Sequence, residues 1–196
     1  MSVLHRLATV VLVVEMPVPL YWLVLHGGVG FWRKRARLGY LCAVLLAWGL
    51  GGNLLYHFRS QLFHEVTGGS TPSLVAIVAG SLLIAADAAI LTTVEKELGG
   101  HRLVGHAELT GRGEMTARGL YRWVRHPRYL GMIAAVLGAC LLGSWQALWV
   151  LFPIWLAVVL AMIWAEDREL RVRFGSAYIE YAKCVPALLP LRRAPR

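Results

Sequence analysis

Acidic residues are scarce in this chain, 11 Asp and Glu against 20 Lys and Arg, and the formal charge of +9 needs a partner. Nucleic acid would be one, but the aromatic single-strand platform and binding motifs that go with it are missing. Anionic lipid headgroups fit better. Cysteines are few as well. Cys42, Cys140 and Cys184 are widely separated and two fall in apolar stretches, which argues against a disulfide framework and a zinc site, so no metal is implied. Repeats and low-complexity segments are absent. A water-compatible surface is missing too: 58% hydrophobic residues, eight tryptophans and a mean hydropathy of +0.58 exclude an ordinary soluble domain.

What is there is a series of apolar windows near the roughly 20 residues needed to cross a bilayer. They cover 3–25, 38–58, 72–94, 129–143 and 145–165, which predicts an all-α integral membrane protein of about five transmembrane helices. The run from Tyr129 to Ala165 would be about 55 Å as one helix, too long for a ~30 Å hydrocarbon core. Gly143-Ser144 supplies a tight turn that folds it into a C-terminal helical hairpin. Glu15, Pro17 and Pro19 interrupt the first window and no small-x-small cleavage site follows closely, so that window is expected to be a span and not a signal peptide. With five spans, the segments 33–37, 96–128 and 168–196 share one face and hold 18 of the 20 Lys and Arg. The positive-inside rule then places the N-terminus outside and the C-terminus in the cytosol. The chain reads as one membrane domain, 1–196, with three spans in 1–94 and a catalytic half in 95–196 made of a loop, the hairpin 125–165 and a cytosolic tail.

The polar residues gather at both ends of that hairpin. The loop Glu95 to Arg128, rich in glycine, is of a length that goes with either function or disorder; short strand-like pieces such as His101 to Val104 do not amount to a sheet. Pro127 suits the first turn of a helix and is expected to start the fourth span. Arg125 and His126 then sit at the membrane interface, where a guanidinium can grip a carboxylate at two points. Arg125, Arg128 and Tyr129 also read as plain interfacial anchors. Glu166-Asp167 needs partners, because acidic residues do nothing for insertion at the cytosolic end of a span and oppose a helix C-terminal dipole. Arg125, Arg128 or Arg168 could pair with them in a structural cluster. After Ala165 a polar helix is expected from Glu166 to Arg173, Gly175 ends it, and Tyr178 and Tyr181 share one face of a second short helix before Pro186. Asp87 and Glu15 are charges within spans and are expected to be structural, with Glu15 near the outer interface. Asn53 and His57 share a helix face on the outer side.

The order Gly119-x-Tyr121-x-x-x-Arg125-His126-Pro127-x-Tyr129-x-Gly131, an apolar hairpin, Glu166-Asp167-x-x-Leu170-x-x-x-Phe174-Gly175-x-x-Tyr178-x-x-Tyr181, then Val185-Pro186, resembles the isoprenylcysteine carboxyl methyltransferase and phospholipid methyltransferase superfamily. The likeness covers Leu98 to Pro190. It implies a membrane enzyme that takes S-adenosylmethionine, leaves S-adenosylhomocysteine and methylates a lipid or lipidated acceptor. It also implies a cofactor site at Met115, Thr116, Gly119, Tyr121, Arg125, His126, Pro127, Tyr129, Gly131 and Glu166, with Glu166, Asp167 and Arg125 in catalysis. Three positions depart from the pattern: Asp167 stands for a second glutamate, Met162 for an arginine held to face a substrate carboxylate, and Gly113 for a histidine. The cofactor half therefore transfers better than the substrate half. Membrane sterol and enone reductases, which use NADPH, share a His-Pro-x-Tyr element and a similar tail, although they usually have more spans. A non-catalytic membrane scaffold is the third reading.

Overall fold

The computed structural model describes residues 3–34, 36–58, 71–99 and 114–190. His101 to Val104 and Gly113 lie outside the described residues. Helices α1 (Val3–Glu15), α2 (Val18–Gly27), α3 (Val29–Arg33), α4 (Ala36–His57) and α5 (Leu74–Leu98) precede a 3-10 turn at Gly119–Arg122. Helices α6 (Pro127–Gly143), α7 (Gln146–Phe174) and α8 (Ser176–Cys184) follow it. Among the described residues there is no strand. Among the described residues three stretches are long and apolar enough to cross a membrane: Val3–His26, Leu74–Leu98 and Gln146–Phe174. The other two expected windows also form helices, but their apolar lengths, Leu41–His57 and Pro127–Gly143, are shorter.

The hairpin forms where expected. Pro127 opens α6, where its missing N–H costs nothing. Ser144, left-handed at φ 50°, turns the chain between α6 and α7. One correction concerns its second arm. Helix α7 does not end at Ala165 but runs on to Phe174 and stops at Gly175, φ 59°. Glu166-Asp167 therefore lies inside a helix two turns from its end, and the opposing dipole expected there does not act on it. The carboxylates gain from this a rigid backbone.

Helix α6 is the hub. Its residues Met132, Val136, Ala139 and Leu142 are buried with Ala8 and Leu12 of α1 and with Leu148, Trp155, Val159 and Met162 of α7. Glycines let α5 and α6 touch backbone to backbone: a Cβ on Gly138 would stand 2.7 Å from the Gly80 carbonyl oxygen, and one on Gly80 would stand 2.8 Å from that of Gly138. Such contacts are the membrane form of close helix packing. Gly138→Ala is expected to cost about 1–3 kcal/mol through overpacking, measured as a lower midpoint of thermal unfolding in detergent, whereas Gly49→Ala, in open space, should not.

Helix α2 continues beyond the Pro17 break along α7, where the Trp155 indole donates to the Met16 carbonyl at 3.1 Å. Between α2, α4 and α7 lies an apolar groove of about 640 Å³, lined by residues such as Pro17, Leu54, Leu148 and Ile154. It carries no chemistry, and the polar cleft is elsewhere.

Candidate active site

Asp167 sits at the centre of a buried knot at the base of the hairpin. Its Oδ2 accepts from the Arg125 guanidinium at 2.6 Å, and its Oδ1 accepts from the Tyr178 hydroxyl at 2.5 Å. The same Oδ1 faces His126 Nε2 at 2.8 Å, and because an ionised carboxylate only accepts, the imidazole hydrogen belongs on Nε2. His126 is 4% exposed and Asp167 9%, so all these groups depend on one another for satisfaction. The His-Pro corner and the acidic dyad, separated by some forty residues, thus meet in one place, as the hairpin reading required.

The C-terminal tail straps this corner from outside. Arg125 and His126 donate their backbone N–H groups to the carbonyls of Pro186 and Ala187 at 2.9 and 3.0 Å. The Arg125 guanidinium also donates to the carbonyls of Val185 and Ala182, at 2.6 and 3.1 Å. Tyr181 donates to the Tyr121 carbonyl at 2.5 Å, tying α8 to the 3-10 turn. Burial and then the Asp167 hydrogen bond hold the Tyr178 phenol well above its ordinary range. Burial pushes Tyr181 up to about 12, the Arg125 charge opposing and the Asp167 charge adding. Both phenols stay protonated donors at neutral pH. Burial works against the Arg125 charge, but the Asp167 hydrogen bond and charge more than offset it, and its affinity for the proton is raised.

Glu166, the other half of the dyad, points away from this knot. Its Oε2 accepts from Tyr129 at 2.5 Å and lies 3.7 Å from His126 Nδ1, whose ring stacks on Tyr129 with centroids 5.5 Å apart. In front of it opens a cleft whose wall includes Met115, Thr116, Tyr121, His126, Tyr129 and Glu166. Arg125, Pro127, Leu170, Arg173, Tyr178 and Tyr181 complete much of the rest. The enclosed volume is about 140 Å³, below the ~300 Å³ at which sites enclosing drug-sized ligands begin, so a nucleoside-sized ligand would extend through the open side.

The structure sorts the expected site residues. Met115, Thr116, Tyr121, His126, Pro127, Tyr129 and Glu166 line the cleft together. Gly119 and Gly131 do not. Gly119, at φ 54°, makes room for the Glu97 carboxylate, which accepts from the Leu120 N–H at 3.1 Å. Gly131 makes room for Asp87, whose Oδ1 would lie 2.6 Å from a Cβ there. Arg125 reaches the cleft, but its terminal nitrogens are committed to Asp167 and the tail. Met162 is fully buried in the core, so position 162 presents nothing to the cleft. Sequence reasoning missed Trp22 and Leu98 in the cleft wall, and it left Tyr178 and Tyr181 without a role. The tyrosine spacing was a usable signal; Trp22, on another helix, offered none.

Arg128 is not an interfacial anchor. Its guanidinium donates to Asp87 of α5 at 2.7 Å and grips both oxygens of Glu15 of α1 at 2.8 and 2.7 Å. Glu15 is accordingly drawn in beside the site and not out to the opposite interface. Among the described residues that line the cleft, with the carboxylates bonded to them, three guanidiniums (Arg125, Arg128, Arg173) face five carboxylates (Glu15, Asp87, Glu114, Glu166, Asp167). In a chain of net charge +9 this described part of the wall is rich in acidic groups. Among the described residues no cluster of His, Cys, Asp and Glu could hold a metal ion.

A helical hairpin set among long apolar helices, with an aromatic cleft rich in acidic groups at its base, marks a membrane protein. The phospholipid methyltransferase family profile matches residues 75–177, just over half the chain, and the chain belongs to that family. It is similar to methanethiol S-methyltransferase 1 of Bradyrhizobium diazoefficiens, 37% identical over 76 residues, a stretch that is 38% of this chain and 26% of that protein. The chain thus aligns with about a quarter of that relative's length. No solved structure matches.

Proposed function

We propose that the protein transfers a methyl group from S-adenosylmethionine to a lipid or lipid-linked acceptor at the membrane. The observation that carries this reading is the cleft itself, in which the Tyr129–Glu166 pair faces outward beside the locked His126–Asp167 pair. The donor set fits the cofactor: carboxylate oxygens for an ammonium or a ribose hydroxyl, aromatic faces for an adenine or a sulfonium, and surplus negative charge for a cation.

S-adenosylmethionine, when bound, would supply an activated methyl open to attack by a lone pair on the acceptor, with S-adenosylhomocysteine as the leaving group. Everything else falls to the chain's own groups. Glu166 holds the ligand's ammonium or hydroxyl, and Tyr129 fixes the direction of that carboxylate. Met115 and Thr116 present backbone groups, and Tyr121 and Tyr129 present rings. Arg125 and Asp167 position His126 and the hairpin base without touching the reacting atoms. The apolar helices exclude water while the acceptor approaches laterally. A protonated amine would have to lose its proton first, and Glu166 is the acceptor for it, since Asp167 already takes three hydrogen bonds.

With no arginine at position 162 to grip a carboxylate, a headgroup amine fits the site better than a prenylcysteine. The relative named for methanethiol methylation favours a small thiol as the second reading. Five spans, an outside N-terminus and a cytosolic cleft complete the proposal, in accord with the distribution of basic residues. The rival NADPH reductase and scaffold readings are open to the same test. Membranes containing the protein, incubated with S-adenosylmethionine labelled in the methyl group, should yield label in the amine-lipid fraction. Label found only on prenylcysteine or in volatile thioethers would reassign the acceptor, and no transfer together with NADPH binding would overturn the reading.

A further inference from the structure

Glu15 and Asp87 belong to no part of the proposed chemistry, yet they stand directly behind a residue of the cleft wall. Both are buried, 5% and 8% exposed, and both are bonded to the single guanidinium of Arg128, which lines the cleft. One positive charge is thus shared by two carboxylates in apolar surroundings. Stapling α1, α5 and α6 through Arg128 uses both side chains, but a neutral hydrogen-bonding partner on one of the two helices would staple as well without the second charge. A hydrogen-bonded pair would have been the cheaper arrangement, because a second buried carboxylate adds desolvation cost that the shared cation does not fully repay.

The surplus charge is held firmly in place. Gly131 leaves Asp87 close against the first turns of α6, with the Arg128 Nη1–Oδ1 contact at 2.7 Å. Glu15 is gripped through both oxygens, the geometry that fixes orientation as well as distance. Both lie on helices that contribute no polar group of their own to the described wall of the cleft. Their effect on a ligand is therefore long-range and depends on the ligand's charge, with no contact required.

We infer that Glu15 and Asp87, through the net negative charge of their triad with Arg128, are specificity-determining residues that make the cleft prefer the charged sulfonium donor to its neutral thioether product. The inference rests on the methyl-donor reading above. Donor and product differ by one methyl and one positive charge, so a fixed negative charge behind the wall acts on one and not on the other. After transfer the electrostatic hold is gone, which favours product exchange. A unit charge roughly 10 Å away in a medium of effective dielectric about 20 changes a binding constant by about tenfold.

The test is equilibrium binding of S-adenosylmethionine and of S-adenosylhomocysteine to the purified full-length protein in nanodiscs, with Asp87→Asn and Glu15→Gln beside the wild type. Each variant keeps the hydrogen-bonding shape and removes one charge, and Glu180→Gln, on the exposed Glu180–Lys183 pair, controls for charge alone. The expected result is an approximately tenfold weaker hold on the sulfonium ligand in either variant, with affinity for the thioether changed by less than threefold. Equal losses for both ligands would mark the triad as merely structural and overturn the inference while leaving the donor reading intact. Unchanged affinities would overturn it too. A wild-type protein that binds neither ligand would defeat the donor reading itself, and this inference with it. Should one variant fail to fold, the other, on a different helix, gives the same readout.

Discussion

Glutamine in place of Glu166 should leave a folded protein that has lost most of its hold on the methyl donor and nearly all of its turnover. The carboxylate lines the cleft, and among the described residues its short hydrogen bond comes from Tyr129. A charge-assisted hydrogen bond is worth about 1.5–3 kcal/mol, so affinity for S-adenosylhomocysteine should fall by roughly 10- to 100-fold, as measured by titration calorimetry. Unfolding in detergent should barely change, because the Tyr129 hydroxyl can still donate to the amide oxygen. Unaltered binding in a folded Glu166→Gln protein would remove Glu166 from the site.

The neighbouring carboxylate should behave in the opposite way. Asp167→Ala strips the Arg125 guanidinium, the His126 imidazole and the Tyr178 hydroxyl of a shared acceptor at once. Removing one partner of a buried ion pair costs about 3–5 kcal/mol, because the other charge is left uncompensated. The expected outcome is a large fall in the unfolding midpoint, with activity lost as a consequence of instability. Tyr178→Phe, which removes only one of the three donors, should cost about 0.5–1.5 kcal/mol. If Asp167→Ala were stable and merely inactive, the knot would be part of the chemistry and not its support. The contrast between adjacent residues is the useful feature: one position on α7 points into packed structure and the next into the cleft.

The parts legible in the sequence were those carried by local chemistry. Pro127 marks a helix start because its ring and missing N–H allow little else, and Gly143-Ser144 marks a turn because the flanking apolar run is too long for one span. Once those two points hold, His126 and Glu166 must meet. Gly175 was correctly read as a helix end; what was misread is the break at Ala165, because the change from apolar to charged residues marks where lipid gives way to water, and one helix runs straight through it. The Glu15–Arg128–Asp87 triad was out of reach for a different reason. Its members lie on α1, α6 and α5, with Glu15 and Arg128 113 positions apart, and no periodicity or spacing links them. Trp22 joins the cleft for the same kind of reason, through the packing of α2 along α7. Arg125 was correctly taken to grip a carboxylate, but the carboxylate proved to be the protein's own.

The strap formed by Ala182 to Ala187 also sets a schedule for assembly. Wall residues come from as early as Trp22, yet the backbone groups of Arg125 and His126 find their partners only in Pro186 and Ala187. During synthesis the membrane helices can insert and pair one after another, and Arg125 can already meet Asp167, while the amides of the corner wait until the last of these carbonyls leaves the ribosome. A premature stop just upstream of residue 186 would therefore yield a chain whose corner lacks its strap.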